Sequence, residues 1–121
     1  MVEENKWDRC YTQNWHNKLH PDGIDHPAKI SYQLIQKIYQ HLNLPHTSRI
    51  LDPFAGVSCT ALHAMQCGYH WTGIEIEPKF VQLSQKNIDF WNQKYQSLPN
   101  WGSATIIHGD STTIQINEHF D

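Results

Sequence analysis

The stretch Ile50–Thr60, ILDPFAGVSCT, constrains this chain more than any other. Two apolar residues run into an acid, a proline, an aromatic and a glycine, and then into helical spacing. That order predicts a strand ending in a tight turn that opens a helix. Gly56 has no Cβ, so the backbone there can come close to a ligand, and the helix N-terminus that follows offers N–H donors and partial positive charge to an anionic group. Asp52, at the carboxyl end of the strand, can accept a hydrogen bond from a bound cation or hydroxyl. A turn of this kind makes a nucleotide-type site.

The flanking sequence supplies the rest of an alternating pattern. Met1 to Asp25 lacks clear periodicity, mixes Trp7, Tyr11 and Trp15 with polar residues, carries a Pro-Asp-Gly turn and reads as an irregular arm. His16, His20 and His26 fall in or beside it, but Pro21 and Gly23 break any shared helix face and no acid or cysteine completes a ligand set, so no metal site is predicted. Ser31 to Leu42 reads as an amphipathic helix with Leu34, Ile35, Ile38 and Leu42 on one face and Ser31 as N-cap. Strand Arg49 to Pro53 follows. Cys59 to Gln66 is a short helix with Ala61, Leu62 and Met65 inward, closed by Gly68. His70 to Glu77 is a second strand, Pro78 to Tyr95 a helix whose stripe runs through Phe80, Val81, Leu83, Ile88, Trp91 and Tyr95, and Ala104 to His108 a third strand leading into Gly109-Asp110-Ser111.

Composition bounds the function. At 121 residues the chain is one small domain, and its 39% hydrophobic content and mean hydropathy of -0.62 lie toward the polar end, with five Trp, five Tyr and four Phe arguing against disorder. A net charge of -3 gives no broad basic footprint, so any grip on nucleic acid is local or supplied by another region. Cys10, Cys59 and Cys67 show no CxxC pairing and read as reduced thiols; the polar, acidic start carries no signal peptide and no run reaches the ~20 apolar residues of a membrane span. The expectation is a cytoplasmic protein with no membrane partner.

Strands alternating with helices predict an α/β fold with a parallel sheet, whose ligands sit beyond the carboxyl ends of the strands. Three such ends carry acids, Asp52, Glu75 and Asp110. Glu75 follows Asp52 at close to the spacing of about 20 residues at which a strand-end acid captures ribose hydroxyls. The three acids are therefore expected on one crevice, as a site for a nucleoside-bearing cofactor.

These residues resemble a known family. DPFAG at Asp52 to Gly56, with Thr60 opening the helix, looks like the cofactor motif of the S-adenosylmethionine-dependent amino-methyltransferases that modify exocyclic amines of DNA bases. GIEIEP at Gly73 to Pro78 is similar to their second motif, GDS at Gly109 to Ser111 to their third, and HPAK at His26 to Lys29 to the segment preceding the cofactor motif in one circular order. The resemblance covers roughly His26 to Asp121 and implies a Rossmann-like methyltransferase fold, a partial parallel sheet with flanking helices. It also implies S-adenosylmethionine as cofactor. Asp52, Phe54 and Gly56 would floor the methionine end, with Asp52 toward its amino group; Glu75 would accept from the ribose hydroxyls, Ile76 would lie on the adenine face, and Asp110, beside Ser111, would accept from the adenine amino group. His26, Pro27 and Lys29, with Thr60, would help hold the carboxylate. One position departs from the pattern: Ser58 stands where the family has glycine, so the turn is either wider or Ser58 takes a strained conformation.

The larger departure is the absence of any Pro-Pro, since the family transfers methyl with an Asp/Asn/Ser-Pro-Pro-aromatic motif at the end of its fourth strand. In this motif order that piece would begin just after Phe120-Asp121. The resemblance thus implies the cofactor-binding half of a site-specific DNA methyltransferase acting on N6 of adenine or N4 of cytosine, with no catalytic residue assignable in this chain. Without a fourth strand, Arg49 to Pro53 is expected at a sheet edge, inviting a second polypeptide or a second copy, with DNA reached through the missing or partner region. An RNA guanine-N2 methyltransferase fragment and a non-catalytic cofactor-binding remnant are the alternatives.

Overall fold

The computed structural model describes residues 32–121. Helix α1 spans Tyr32–Leu42, strand β1 Arg49–Asp52, helix α2 Cys59–Gln66, strand β2 His70–Glu75, helix α3 Pro78–Tyr95 and strand β3 Ser103–His108. The N-terminal arm, its histidines, the Ser31 cap and the HPAK segment lie outside the described residues.

The three strands form a parallel sheet in the order β1-β2-β3. Register places Ile50 beside Trp71 and Trp71 beside Ala104. Side chains alternate across a strand, so Ile50, Trp71, Ala104 and Ile106 share one face, and all four belong to or pack against the core that the helices cover. Ile74 is buried on the opposite face.

Two strands are shorter than the periodicity predicts. β1 stops at Asp52 because the N–H of Phe54, the next one on the side that faces β2, turns back to Asp52 Oδ1 at 3.0 Å. β2 stops at Glu75 because the N–H of Glu77 turns back to Glu75 Oε2, at 2.9 Å, instead of pairing across the sheet. α2 is the most enclosed element: Cys59, Ala61, Leu62, His63, Ala64 and Met65 are all buried, since it lies between the sheet and α1. Each large apolar side chain taken out of water there contributes roughly 2 kcal/mol before entropy is charged against it.

The face α1 turns inward differs from the expected stripe. Ile35 and Tyr39 are its buried residues, whereas Ile38 and Leu42 are exposed. The helix packs chiefly on α2, so a narrower face suffices, and the Tyr39 hydroxyl finds a half-buried acceptor in the Thr60 carbonyl at 3.0 Å. Burial, with the Asp52 charge nearby, pushes the Tyr39 phenol well above its ordinary range. In α3 the buried set is Leu83, Ser84, Asn87, Ile88 and Trp91, two of them polar. No helix among the described residues is long and apolar enough to cross a membrane.

Candidate functional site

The carboxyl ends of β1, β2 and β3 open onto a cleft of about 240 Å³ lined by Pro53, Phe54, Ile74, Glu75, Ile76, Gly109, Asp110, Ser111 and Thr112. Phe54 and Ile76 are the most exposed large apolar side chains of the described residues, at 78% and 62%, and both stand on this cleft. Two apolar walls with carboxylates set among them suit a flat, partly polar ligand.

The turn after β1 is held from three sides. Gly56 has φ 59, a backbone that favours glycine, and its N–H donates to Glu75 Oε1 at 2.7 Å. From the other side Ser84 Oγ donates to the Gly56 carbonyl at 2.8 Å and Asn87 Nδ2 to the Val57 carbonyl at 2.9 Å. Both α3 side chains are fully buried, so the donors they supply are isolated from competing water. The turn is also laid onto β2 by Ala55, whose N–H donates to the Ile74 carbonyl at 3.0 Å.

Glu75 accepts the Gly56 N–H on one oxygen and the Glu77 N–H on the other, which fixes the carboxylate plane and leaves each oxygen further acceptor capacity. Asp110 Oδ1 accepts from both the N–H and the hydroxyl of Thr112, at 2.9 and 2.7 Å. Those bonds, the hydroxyl first, lower its pKa, so the group is charged at neutral pH. The neighbouring backbone is tied as well: the Gly109 N–H donates to the Glu75 carbonyl at 3.0 Å, and His108 Nε2 lies 3.1 Å from the Ile76 carbonyl.

Asp52 does not line the cleft. Its Oδ1 accepts the Phe54 N–H at 3.0 Å and its Oδ2 the Thr60 hydroxyl at 2.7 Å. Ser58 takes the strained alternative: φ is 68 and ψ 35, the residue is fully buried, and its hydroxyl has no hydrogen-bond partner.

The family described as DNA methylase, the N6 and N4 methyltransferases, matches residues 2–86 of this chain. The chain belongs to the DNA methylase family. It is similar to the type II methyltransferase M.BglI of Bacillus subtilis, with 38% identity over 65 residues, which are 54% of this chain and 18% of that protein. It therefore matches less than a fifth of that relative's length. Among solved structures it is similar to YjhP of E. coli, at TM-score 0.60 and 19% identity over 79% of this chain and 38% of the other. It is also similar to an S-adenosylmethionine-dependent methyltransferase of Thiobacillus denitrificans in complex with S-adenosylhomocysteine, at TM-score 0.55 and 21% identity over 88% of this chain and 36% of the other. At such identities the likeness is one of fold, and that fold is the Rossmann-like methyltransferase fold.

For this DNA methylase chain the structure sorts the sequence candidates into three groups. Phe54, Glu75, Ile76, Asp110 and Ser111 come together on the cleft. Asp52, Gly56 and Thr60 stand behind it, joined to it by the hydrogen bonds above. His26, Pro27 and Lys29 lie outside the described residues. Sequence reasoning missed the lining residues Pro53, Ile74, Gly109 and Thr112. The methylase motifs contain Pro53, Ile74 and Gly109, and the Asp110-Ser111-Thr112 run is a readable turn signal, whereas nothing in the spacing marked Ser84 and Asn87 as supports.

Proposed function

We propose that this chain is the S-adenosylmethionine-binding part of a site-specific DNA methyltransferase that moves a methyl group onto an exocyclic base amine, N6 of adenine or N4 of cytosine. The observation that carries the reading is the cleft itself, where a fixed carboxylate from β2 and a charged one after β3 flank the exposed Phe54 and Ile76. Membership of the DNA methylase family supports the reaction class. The S-adenosylhomocysteine in the Thiobacillus denitrificans relative supports the cofactor class. On this reading residues 26–121 form the cofactor-binding half and residues 1–25 an arm.

The residues fit that cofactor. Glu75, held by two backbone N–H groups, accepts from the ribose hydroxyls with its remaining lone pairs. Ile76 and Phe54 give the adenine and its sulfur-bearing arm an apolar seat. Asp110, kept ionised by Thr112, accepts from the adenine amino group, with Ser111 beside it. Asp52 and Gly56 shape the methionine end, and His26, Pro27 and Lys29 hold its carboxylate. The cofactor supplies an already activated methyl group, so the protein's part is to fix amine, methyl and sulfur in line and keep water out. DNA is met through a further region or a partner, for which the exposed edge of β1 is the proposed seat.

Calorimetric titration of S-adenosylmethionine into the parent and into Glu75→Ala tests the reading. Binding in the parent, weakened at least tenfold in the variant, is expected, because a lost hydrogen bond to a charged group is worth about 1.5–3 kcal/mol. A folded parent that binds no cofactor overturns it.

A further inference from the structure

Three polar side chains behind the cleft form one directed chain. The Trp71 indole Nε1–H donates to Thr60 Oγ1 at 3.0 Å, and the Thr60 hydroxyl donates to Asp52 Oδ2 at 2.7 Å. An indole N–H can only donate and an ionised carboxylate can only accept, so the single proton of Thr60 has one place to go. Trp71 occupies the lone pair facing it, and Asp52 takes the proton. Asp52 in turn receives the Phe54 N–H at 3.0 Å, and Phe54 is the exposed aromatic on the cleft. Trp71 is fully buried and lies in none of the motifs that marked the site.

We infer that Trp71 and Thr60 are positioning residues that fix the Asp52 carboxylate and, through it, Phe54, and that Thr60 does not itself hold the carboxylate of the cofactor. Thr60 carries no second proton to offer an incoming anion, and taking its proton from Asp52 would leave two carboxylates facing one hydroxyl. The backbone around Thr60 is fixed as well: its carbonyl accepts the Tyr39 hydroxyl of α1, so the residue is gripped by the helix packed outside it and by the strand beneath it. Thr60 thus transmits order from the core to the turn and never meets the ligand.

This inference rests on the proposed cofactor reading, and its test separates the two. Thr60→Val removes the hydroxyl and keeps the shape, while Thr60→Ser keeps the hydroxyl. Dissociation constants are measured for S-adenosylmethionine and for decarboxylated S-adenosylmethionine, which lacks only the carboxylate. The expected result is a loss of about tenfold in Thr60→Val for both ligands, recovered in Thr60→Ser, as for one hydrogen bond to a charged group. A loss confined to S-adenosylmethionine overturns the inference, because it places Thr60 against the ligand's carboxylate. A parent that binds neither ligand sinks the cofactor reading alone, and a ligand-free measurement then decides the relay. In nitrogen–proton correlation spectra the Trp71 indole signal, identified with Trp71→Phe, is expected to shift in Asp52→Asn although the indole N–H donates to Thr60 and not to Asp52. An unmoved signal overturns the relay.

Discussion

Ser58 shows what one residue can cost. A left-handed backbone at a position with a Cβ carries roughly 1–2 kcal/mol of strain, and a buried hydroxyl without a partner adds about 1 kcal/mol or more. Ser58 precedes α2 as its N-cap, yet its side chain makes no capping hydrogen bond, because the left-handed backbone does not have the extended conformation from which a cap reaches the first-turn N–H groups. Ser58→Gly removes both penalties and adds back roughly 0.5–1 kcal/mol through the greater freedom of glycine in the unfolded chain. The variant is expected to be about 1 kcal/mol more stable in urea unfolding; an equal or lower midpoint would show that the turn is not strained. The family glycine at this position was legible in the sequence, and so was the choice between a wider turn and strain. Only the structure decided for strain, because Ser84 and Asn87 hold the flanking carbonyls and leave the turn no room to widen.

At the scale of an element, β2 owes its place to Gly73. Ala55 Cβ stands 2.8 Å from where a Gly73 Cβ would be, and the Trp71 ring, on the same face two residues earlier, lies over the same spot. The strand therefore carries a large ring and the glycine turn on one face at once, which an added methyl forbids. Gly73→Ala is expected to destabilise the fold by about 2 kcal/mol or more, read from the urea midpoint, with cofactor binding lost ahead of secondary structure. α1 teaches the complementary lesson: its helical spacing was plain, but its buried face was not, since Tyr39 replaces Ile38 and Leu42 once a hydroxyl acceptor is available on α2. Amphipathic spacing identifies a helix, and the neighbour it meets selects the face.

On the whole-molecule scale the sheet has, among the described residues, an outer edge at β1, and Asp121 already bonds to it. The Arg49 N–H donates to Asp121 Oδ2 and the Asp121 N–H to the Arg49 carbonyl, both at 2.8 Å. Strand alternation sends the N–H and C=O of Leu51 to the same side, and Leu51 is itself 37% exposed. Such an edge is a template for another strand. Sedimentation equilibrium is expected to show concentration-dependent association, suppressed in Leu51→Lys, where a charge on the edge opposes pairing; a single monomeric species at every concentration would remove this edge as a seat for a partner.

The α/β alternation, the strand-end acids and the DNA methylase motifs are legible along the chain, because each of these lives in short-range spacing: period two in strands, period 3.6 in helices, and turn residues at fixed offsets. Tertiary structure alone decided which acids reach the cleft and which stand behind it. Glu75 and Asp110 line it, while Asp52 spends both oxygens on Phe54 and Thr60. A hydrogen bond depends on where distant segments come to rest. The partners of the turn, Trp71, Ser84 and Asn87, come from elements that follow it in the chain and meet it only when the sheet and helices have packed.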